Sequence, residues 1–189
     1  MRAPALLSGL VLAAFLATAA AAAAPPPAAE VRLGVLWADL GPSAGRLPGA
    51  DLNGELLFTT PLTAWTLNLP AWLRWAAAPR VNFGGTVNTA GAANQAYTGL
   101  TWTLPLASSL LSRSDTISFG FSVGPDLLGG NAVPTGLNQG PQLRLGAELG
   151  YQVTPEVGVF LQFDHVTSGA AAREGDSLNE LGLRVGLHF

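Results

Sequence analysis

The side chains that could support catalysis lie near the carboxyl end of the chain. The sequence contains two histidines, His165 and His188, and no cysteine. Thr167 follows His165 by two positions, and Asn179 lies in the next alternating segment. A hydroxyl within hydrogen-bond reach of a histidine is an arrangement used in nucleophilic catalysis. The sequence has no nucleophile elbow, no Walker loop and no His/Cys cluster of the metal-binding type, so we expect neither a cofactor nor a metal site.

The amino terminus predicts export. Arg2 precedes an apolar run over residues 5–17, and small alanines continue to Ala24, a pattern typical of a secretory signal peptide. We therefore assign residues 1–24 to a signal peptide and residues 25–29 to a proline- and alanine-rich leader. The remaining residues, 30–189, are enough for one domain.

The composition favours a surface that faces lipid. Charged residues make up 11% of the chain and hydrophobic residues 49%, whereas soluble domains usually carry about 25% charged residues. The mature sequence has no apolar stretch of the roughly 20 residues that a spanning helix needs. Within lipid, only helices and closed barrels satisfy every backbone polar group, so the sequence predicts a β-barrel of a bacterial outer membrane. The net charge of -3 and the lack of basic runs argue against nucleic acid as a partner.

The mature chain contains about eight alternating segments, separated by clusters of Gly, Pro, Asn and Ser. In the last of them, Leu181, Leu183 and Val185 share one face, while Gly182 and Arg184 share the other. In a soluble sandwich the apolar face would point inward, but in a membrane barrel it faces lipid and the polar face lines the lumen. The aromatic carboxyl terminus resembles the recognition signal for outer-membrane assembly. We therefore predict an all-β, eight-stranded antiparallel barrel.

Two connecting segments are predicted to be long. Residues 124–140 form an external loop if both termini are periplasmic. Residues 60–78 are then periplasmic and rich in tryptophan, so this segment lies along the membrane interface or packs as a loop on the barrel rim.

The inward-facing positions predict a charged lumen. They contain both signs of charge, and a barrel of about eight strands is filled by side chains rather than water. We interpret them as linked ion pairs, and an ion pathway is the disfavoured alternative. The predicted network consists of Arg32, Glu55, Arg144, Glu148, Asp164, Glu180 and Arg184. The predicted outward residues include Phe119, Leu145, Leu161 and Leu183, and His188 is expected to plug the lumen or lie on its rim.

The same alternation puts His165, Thr167 and Asn179 on the lipid-facing side of the last two strands. These strands meet at an external loop, so the three polar side chains could cluster on the outer wall at the level of the outer leaflet. Polar groups at lipid depth are costly and are often functional. The alternative is that strand ends near the headgroups tolerate polar residues freely.

Four stretches of the mature chain carry a family resemblance. They are VNFGGTVNTAG (81–91), QAYTGLTW (95–102), DHVTS (164–168) and LNELGLRVGLHF (178–189). Together they resemble the lipid A 3-O-deacylase (PagL, or acyloxyacyl hydrolase) family. The resemblance implies an eight-stranded outer-membrane barrel that acts on lipid A, or lipopolysaccharide, in the outer leaflet. It also implies removal of an ester-linked acyl chain by a serine-hydrolase-like set on the barrel exterior.

The family pattern is His-x-Ser-Asn, followed by an acid early in the last strand, and this sequence departs from it. His165 matches the histidine, Thr167 stands at the serine nucleophile and Ser168 stands at the asparagine. The acid position falls on Asn179, with Glu180 adjacent but on the opposite face. A threonine methyl group restricts the attacking side chain. Asparagine can hold an imidazole, but it does not stabilise an imidazolium as a carboxylate does. The departures indicate a weakened or inactive site.

Two functions therefore remain open. The first is a lipid A deacylase-like ester hydrolase with His165, Thr167 and Asn179 as its catalytic set and Ser168 and Glu180 as auxiliary candidates. The second is a non-catalytic structural barrel that has kept the deacylase fold. A transport role is disfavoured by the crowded, charged lumen.

Overall fold

Eight antiparallel strands form a closed barrel in which neighbours in sequence are neighbours in space and β1 pairs with β8. The computed structural model describes residues 28–38, 47–60, 68–70, 73, 76–77, 79–108, 116–131, 137, 141–168 and 177–189. The strands are β1 Ala28–Ala38, β2 Asp51–Phe58, β3 Arg80–Asn88, β4 Asn94–Ser108, β5 Thr116–Gly129, β6 Pro141–Gln152, β7 Val157–Thr167 and β8 Ser177–His188. The prediction of an eight-stranded antiparallel barrel is confirmed.

Two differences between the strand boundaries and the sequence prediction bear on the barrel's limits and its longest predicted external loop. Strand β1 begins at Ala28, two residues before the predicted start of the barrel. The predicted loop 124–140 is wrong in its first part, because β5 continues to Gly129 and pairs with β6 through Pro125 and Leu143. Gly124 lies against the backbone of Thr98 and Gly99 on β4, where a Cβ would collide. This glycine permits a close approach between strands rather than a turn.

The tryptophan-rich segment 60–78 is only partly described by the structure. Most of segment 60–78, including its three tryptophans, lies outside the described residues, so its place along the interface stays a prediction. Within the described part of the chain, no helix has the length and apolar character needed to cross a membrane.

The two faces of the wall have opposite polarity. The predicted outward residues Phe119, Leu145, Leu161 and Leu183 are 39–55% exposed, and many other large hydrophobic side chains share this outer surface. The predicted inward residues Arg144, Glu148, Asp164 and Arg184 are each at most 5% exposed. Lipid, not water, is the solvent that suits an apolar exterior around a polar interior. The chain is therefore a β-barrel of the bacterial outer-membrane type, as the sequence predicted.

Ion pairs fill the middle of the lumen in two linked groups. In the first, Arg32 binds Glu148 on the opposite wall and Glu30 at 2.6 Å, and Glu30 also binds Arg80 at 2.5 Å. In the second, Arg184 binds Glu55 at 2.5 Å, and the Tyr97 hydroxyl donates to the same carboxylate at 3.1 Å.

Arg144 extends the second group. Its guanidinium lies 3.8 Å from the centroid of the Tyr97 ring and 2.7 Å from Asp164. Side chains around Arg32, Glu55 and Arg184 leave no cavity large enough for a water molecule. This part of the lumen is packed, and a water-filled pathway does not pass through it.

The lumen prediction is wrong for one member. Glu180 is buried but accepts a hydrogen bond from Gln95 at 2.5 Å instead of forming an ion pair with a described residue. The prediction also left out Glu30 and Arg80, which extend the network toward the end of the barrel that holds both termini. His188 is partly exposed at this end and lies 3.6 Å from Glu30, which is a rim position as expected.

Apolar side chains close the other end of the lumen. We call this end, opposite the termini, the outer end, and its cluster the outer plug. The plug consists of Ala38, Leu128, Leu137, Val166 and Leu178, each at most 7% exposed. The inward face of the wall is therefore charged in its middle and apolar at its outer end.

Candidate functional site

The structure brings two of the three predicted catalytic residues into contact on the outer wall. His165 of β7 and Asn179 of β8 are direct partners in the strand register, and Nδ1 of His165 lies 2.8 Å from Oδ1 of Asn179. An amide oxygen only accepts hydrogen bonds, so Nδ1 is the protonated ring nitrogen in this arrangement. In the neutral imidazole, Nε2 then carries the lone pair. This is the tautomer that a histidine needs to act as a general base through Nε2.

Thr167 lies beside this pair but is not hydrogen-bonded to it. It is the last residue of β7, it is half-buried, and Ser177 of β8 is its partner in the register. Among the described residues, no hydrogen bond joins the Thr167 hydroxyl to His165. Residues two apart on a strand are separated by about 6.6 Å, so their side chains must turn toward each other to meet. In unliganded sites such catalytic hydrogen bonds are often long and tighten when substrate binds.

The two auxiliary candidates lie away from the pair. Ser168 directly follows β7 and is exposed. Glu180 points into the lumen, where Gln95 binds it, and so lies on the other side of the wall from His165. The structure therefore puts no carboxylate from β8 beside the imidazole.

Side chains inside the barrel hold the site's backbone in place. Val166 lies between His165 and Thr167, and Leu178 lies between Ser177 and Asn179. Both point inward into the outer plug and are at most 1% exposed. One residue before His165, Asp164 is fixed by Arg144 at 2.7 Å. Inward side chains thus hold the site's two strands in place. The polar side chains on the outer face take no part in packing the core.

Apolar side chains surround the pair on the wall. On β6, Leu145 is the register partner of His165 and Leu143 is the partner of Thr167. Toward the inner end, the next register pair is Phe163 with Leu181. These four side chains are 37–43% exposed. The polar residues therefore open toward the lipid-facing side and not toward the lumen.

Sequence reasoning missed Ser177 and the outer plug. Ser177 shares the outward parity of Asn179, which was the signal that could have identified it. Among the residues that the structure describes, no group of three or more histidine, aspartate and glutamate side chains is arranged to hold a metal ion.

Solved structures share this fold. The crystal structure of the outer membrane enzyme PagL matches with a TM-score of 0.62 at 10% sequence identity, over 85% of this chain and 100% of that chain. The crystal structure of Neisserial surface protein A (NspA) matches with a TM-score of 0.51 at 14% identity, over 85% of this chain and 96% of that chain. Identities this low show a shared fold alone. No protein-family model matches the chain, and no curated protein matches it significantly in sequence.

Proposed function

We propose that this barrel is a lipid A deacylase-like ester hydrolase whose site lies on its outer wall. The observation that carries the proposal is the hydrogen bond between His165 and Asn179, 2.8 Å long. Apart from Thr167 and Ser177, the other outward residues of both strands are apolar. Polar side chains that face lipid cost free energy, and those that are found there often have a function. The orientation of the imidazole by a neighbouring side chain is the arrangement that hydrolases use to prepare a base.

The depth of the pair suits a lipid ester. The end of the barrel with both termini also carries the short turn 153–156, and short turns of such barrels lie in the periplasm. The outer end then faces the outer leaflet. His165 lies two residues from the end of β7 and Asn179 two residues from the start of β8. An ester between the headgroup and the acyl chain of lipid A, or lipopolysaccharide, would reach the pair without entering the lumen.

The proposed reaction is acyl transfer through Thr167. Nε2 of His165 takes the proton of the Thr167 hydroxyl while Oγ1 attacks the ester carbonyl carbon. The bond from that carbon to the sugar oxygen breaks, and His165 returns the proton to the leaving alkoxide. Water then hydrolyses the acyl-threonine with the same base, which releases the fatty acid and restores the hydroxyl.

Mass spectrometry of lipid A from cells with and without the protein tests this function. We expect lipid A to lose one hydroxylated acyl chain when the wild-type protein is present, and His165→Ala to abolish the loss. Thr98→Ala is the matched control, because Thr98 carries an outward hydroxyl on β4, away from the site. Unchanged lipid A in cells that hold the folded wild-type barrel would exclude the reaction.

Two observations favour a second function, a non-catalytic structural barrel that has kept the deacylase fold. The Thr167 hydroxyl has no hydrogen bond to His165 within the described residues, and the β8 residue facing the imidazole is an amide instead of an acid. In that case wild type and His165→Ala would leave identical lipid A, while loss of the whole barrel would weaken the outer membrane.

A further inference from the structure

A second hydroxyl faces the outer wall beside the proposed nucleophile. Ser177 begins β8 and is the register partner of Thr167, as Asn179 is of His165. The four residues form a polar block of two register pairs at the outer end of the wall. The remaining outward residues of these two strands are apolar: Val157, Val159, Leu161 and Phe163 on β7, and Leu181, Leu183, Val185 and Leu187 on β8.

Ester hydrolysis through the proposed set needs a group that the set itself does not provide. When the hydroxyl attacks, negative charge develops on the carbonyl oxygen, and hydrolases stabilise this oxyanion with fixed hydrogen-bond donors. Backbone N–H groups often serve this purpose. Here β7 is paired along its length with β6 on one side and β8 on the other, so its backbone groups are used in the ladder.

Among the residues that the structure describes, a side-chain donor on the same face could fill this role. Ser168 follows the end of β7, and Glu180 faces the lumen. Ser177 has the outward parity, the primary hydroxyl and the position directly across from Thr167. Direct cross-strand partners have Cβ atoms about 4.5–5.5 Å apart. A carbonyl carbon attacked by Thr167 would then hold its oxygen within reach of Ser177.

We propose that Ser177 is the oxyanion donor of this site, an inference that rests on the proposed function. As Thr167 Oγ1 bonds to the carbonyl carbon, the carbonyl oxygen becomes negative and accepts a hydrogen bond from the Ser177 hydroxyl. Ser177 keeps its proton throughout. When the bond to the leaving sugar oxygen breaks, the carbonyl re-forms and the hydrogen bond weakens. The proton on the leaving group comes from His165.

Kinetics of the full-length barrel on lipid A in detergent micelles test this role. We expect Ser177→Ala to lower kcat about 10²–10³-fold with little change in KM, because an oxyanion contact forms only in the transition state. Ser177→Thr keeps a hydroxyl and should recover most of the rate. Thr98→Ala again serves as the control. Wild-type kcat in Ser177→Ala, with activity still lost in His165→Ala, would overturn the inference and leave the proposed function standing.

A covalent probe separates the two hydroxyls. A fluorophosphonate reacts with an activated hydroxyl, and peptide mass spectrometry then identifies the labelled residue. We expect the label on Thr167, with slower labelling in Ser177→Ala. Label on Ser177 would make that residue the nucleophile and overturn its role as donor. A folded wild-type barrel that neither hydrolyses lipid A nor takes up the probe would remove the proposed function itself, and the inference with it.

Discussion

Arg144 and Leu145 are consecutive residues of β6 that face opposite sides of the wall, and the two sides deal with polarity in different ways. Inside, Arg144 contacts Asp164 and the Tyr97 ring, so its charge is compensated by the packing that fills the lumen. Outside, Leu145 belongs to a largely apolar surface, and its register partner, His165, belongs to the polar block on the same surface.

The difference indicates which polar residues have a structural role. A narrow lumen must be filled by side chains, and charges there are retained if each has a partner. The outer face of the wall needs no polar residue, because lipid solvates aliphatic side chains. His165 and Asn179 satisfy each other but support no other contact in the core. The ion-paired residues of the lumen are therefore explained by packing, which does not account for the polar block on the outer face.

We expect the largest effect on stability from a substitution of Arg144 in the lumen. Arg144→Ala removes the ion pair with Asp164 and leaves a buried carboxylate without its cation, so we expect a loss of about 3–5 kcal/mol of unfolding free energy. Leu145→Ala, one residue away on the lipid side, should cost less than Arg144→Ala, because detergent fills the space and no cavity is left. Urea unfolding of the purified barrel, followed by tryptophan fluorescence, measures both. Equal losses in the two variants would mean that the lumen is more hydrated than its packing indicates.

Two glycines allow the lumen and the outer face to be compared by adding side-chain volume instead of removing a charge. Gly84 of β3 faces the lumen beneath the Tyr97 ring, where a Cβ would collide with the ring. The Tyr97 hydroxyl is held by Asn53 at 2.9 Å and by Glu55, so the ring has little freedom to move away. We expect Gly84→Ala to cost about 1–3 kcal/mol, as overpacking usually does.

The control for Gly84 is Gly54, which faces outward on β2. An added Cβ there would lie 3.6 Å from Leu33, an ordinary contact. Gly54→Ala should therefore be neutral or stabilise the barrel by up to about 1 kcal/mol through a less flexible unfolded chain. Thermal unfolding on gels that separate folded from unfolded barrels measures both changes. Destabilisation by Gly54→Ala would contradict the idea that the wall tolerates change.

The strands could be predicted because their alternation has a period of two, which sets the facing of every residue once one is known. That is why parity alone located Arg144 inside and His165 outside. The same reasoning failed at Gly124 and Pro125, which are typical of turns but lie inside β5, where a missing Cβ permits close strand contact. Single-residue propensity cannot reveal that contact, because it depends on a neighbouring strand.

The site was only partly predictable for a similar reason. Parity and the family resemblance together predicted His165 and Asn179 as candidate site residues, and the structure adds their hydrogen bond. Ser177 was missed because it is the first residue of β8, with no apolar neighbour before it in the strand to set its phase. The outer plug was missed because Val166 and Leu178 point inward although they are apolar. A rule that the inside is polar fails where the lumen ends.

A carboxylate placed beside His165 tests the proposed role of the outer face. Asn179→Asp would put a carboxylate against Nδ1 of His165 and stabilise the imidazolium that forms when Thr167 loses its proton. We expect the rate of acyl release to rise by about tenfold, equal to about 1.4 kcal/mol of transition-state stabilisation. Lipid A hydrolysis by the purified variant measures this change. Asn179→Leu removes the orienting contact and should lose the activity. A slower Asn179→Asp enzyme would show that the amide is not standing in for an acid.

The smallest expected effect concerns the methyl group of Thr167. Its β-branched side chain has fewer favourable rotamers than serine, so the hydroxyl turns less freely toward Nε2 of His165. Thr167→Ser keeps the nucleophile and removes this restriction, and we expect acyl release to quicken by a few-fold, or about 1 kcal/mol at most. Thr167→Val is the matched control, since it keeps the branched shape and lacks the hydroxyl. It should be inactive and as stable as wild type, because the side chain lies on the outer face and makes no hydrogen bond to His165 in the described structure. Activity retained in Thr167→Val would mean that attack comes from another group. Ser177 would then be the next candidate for the nucleophile.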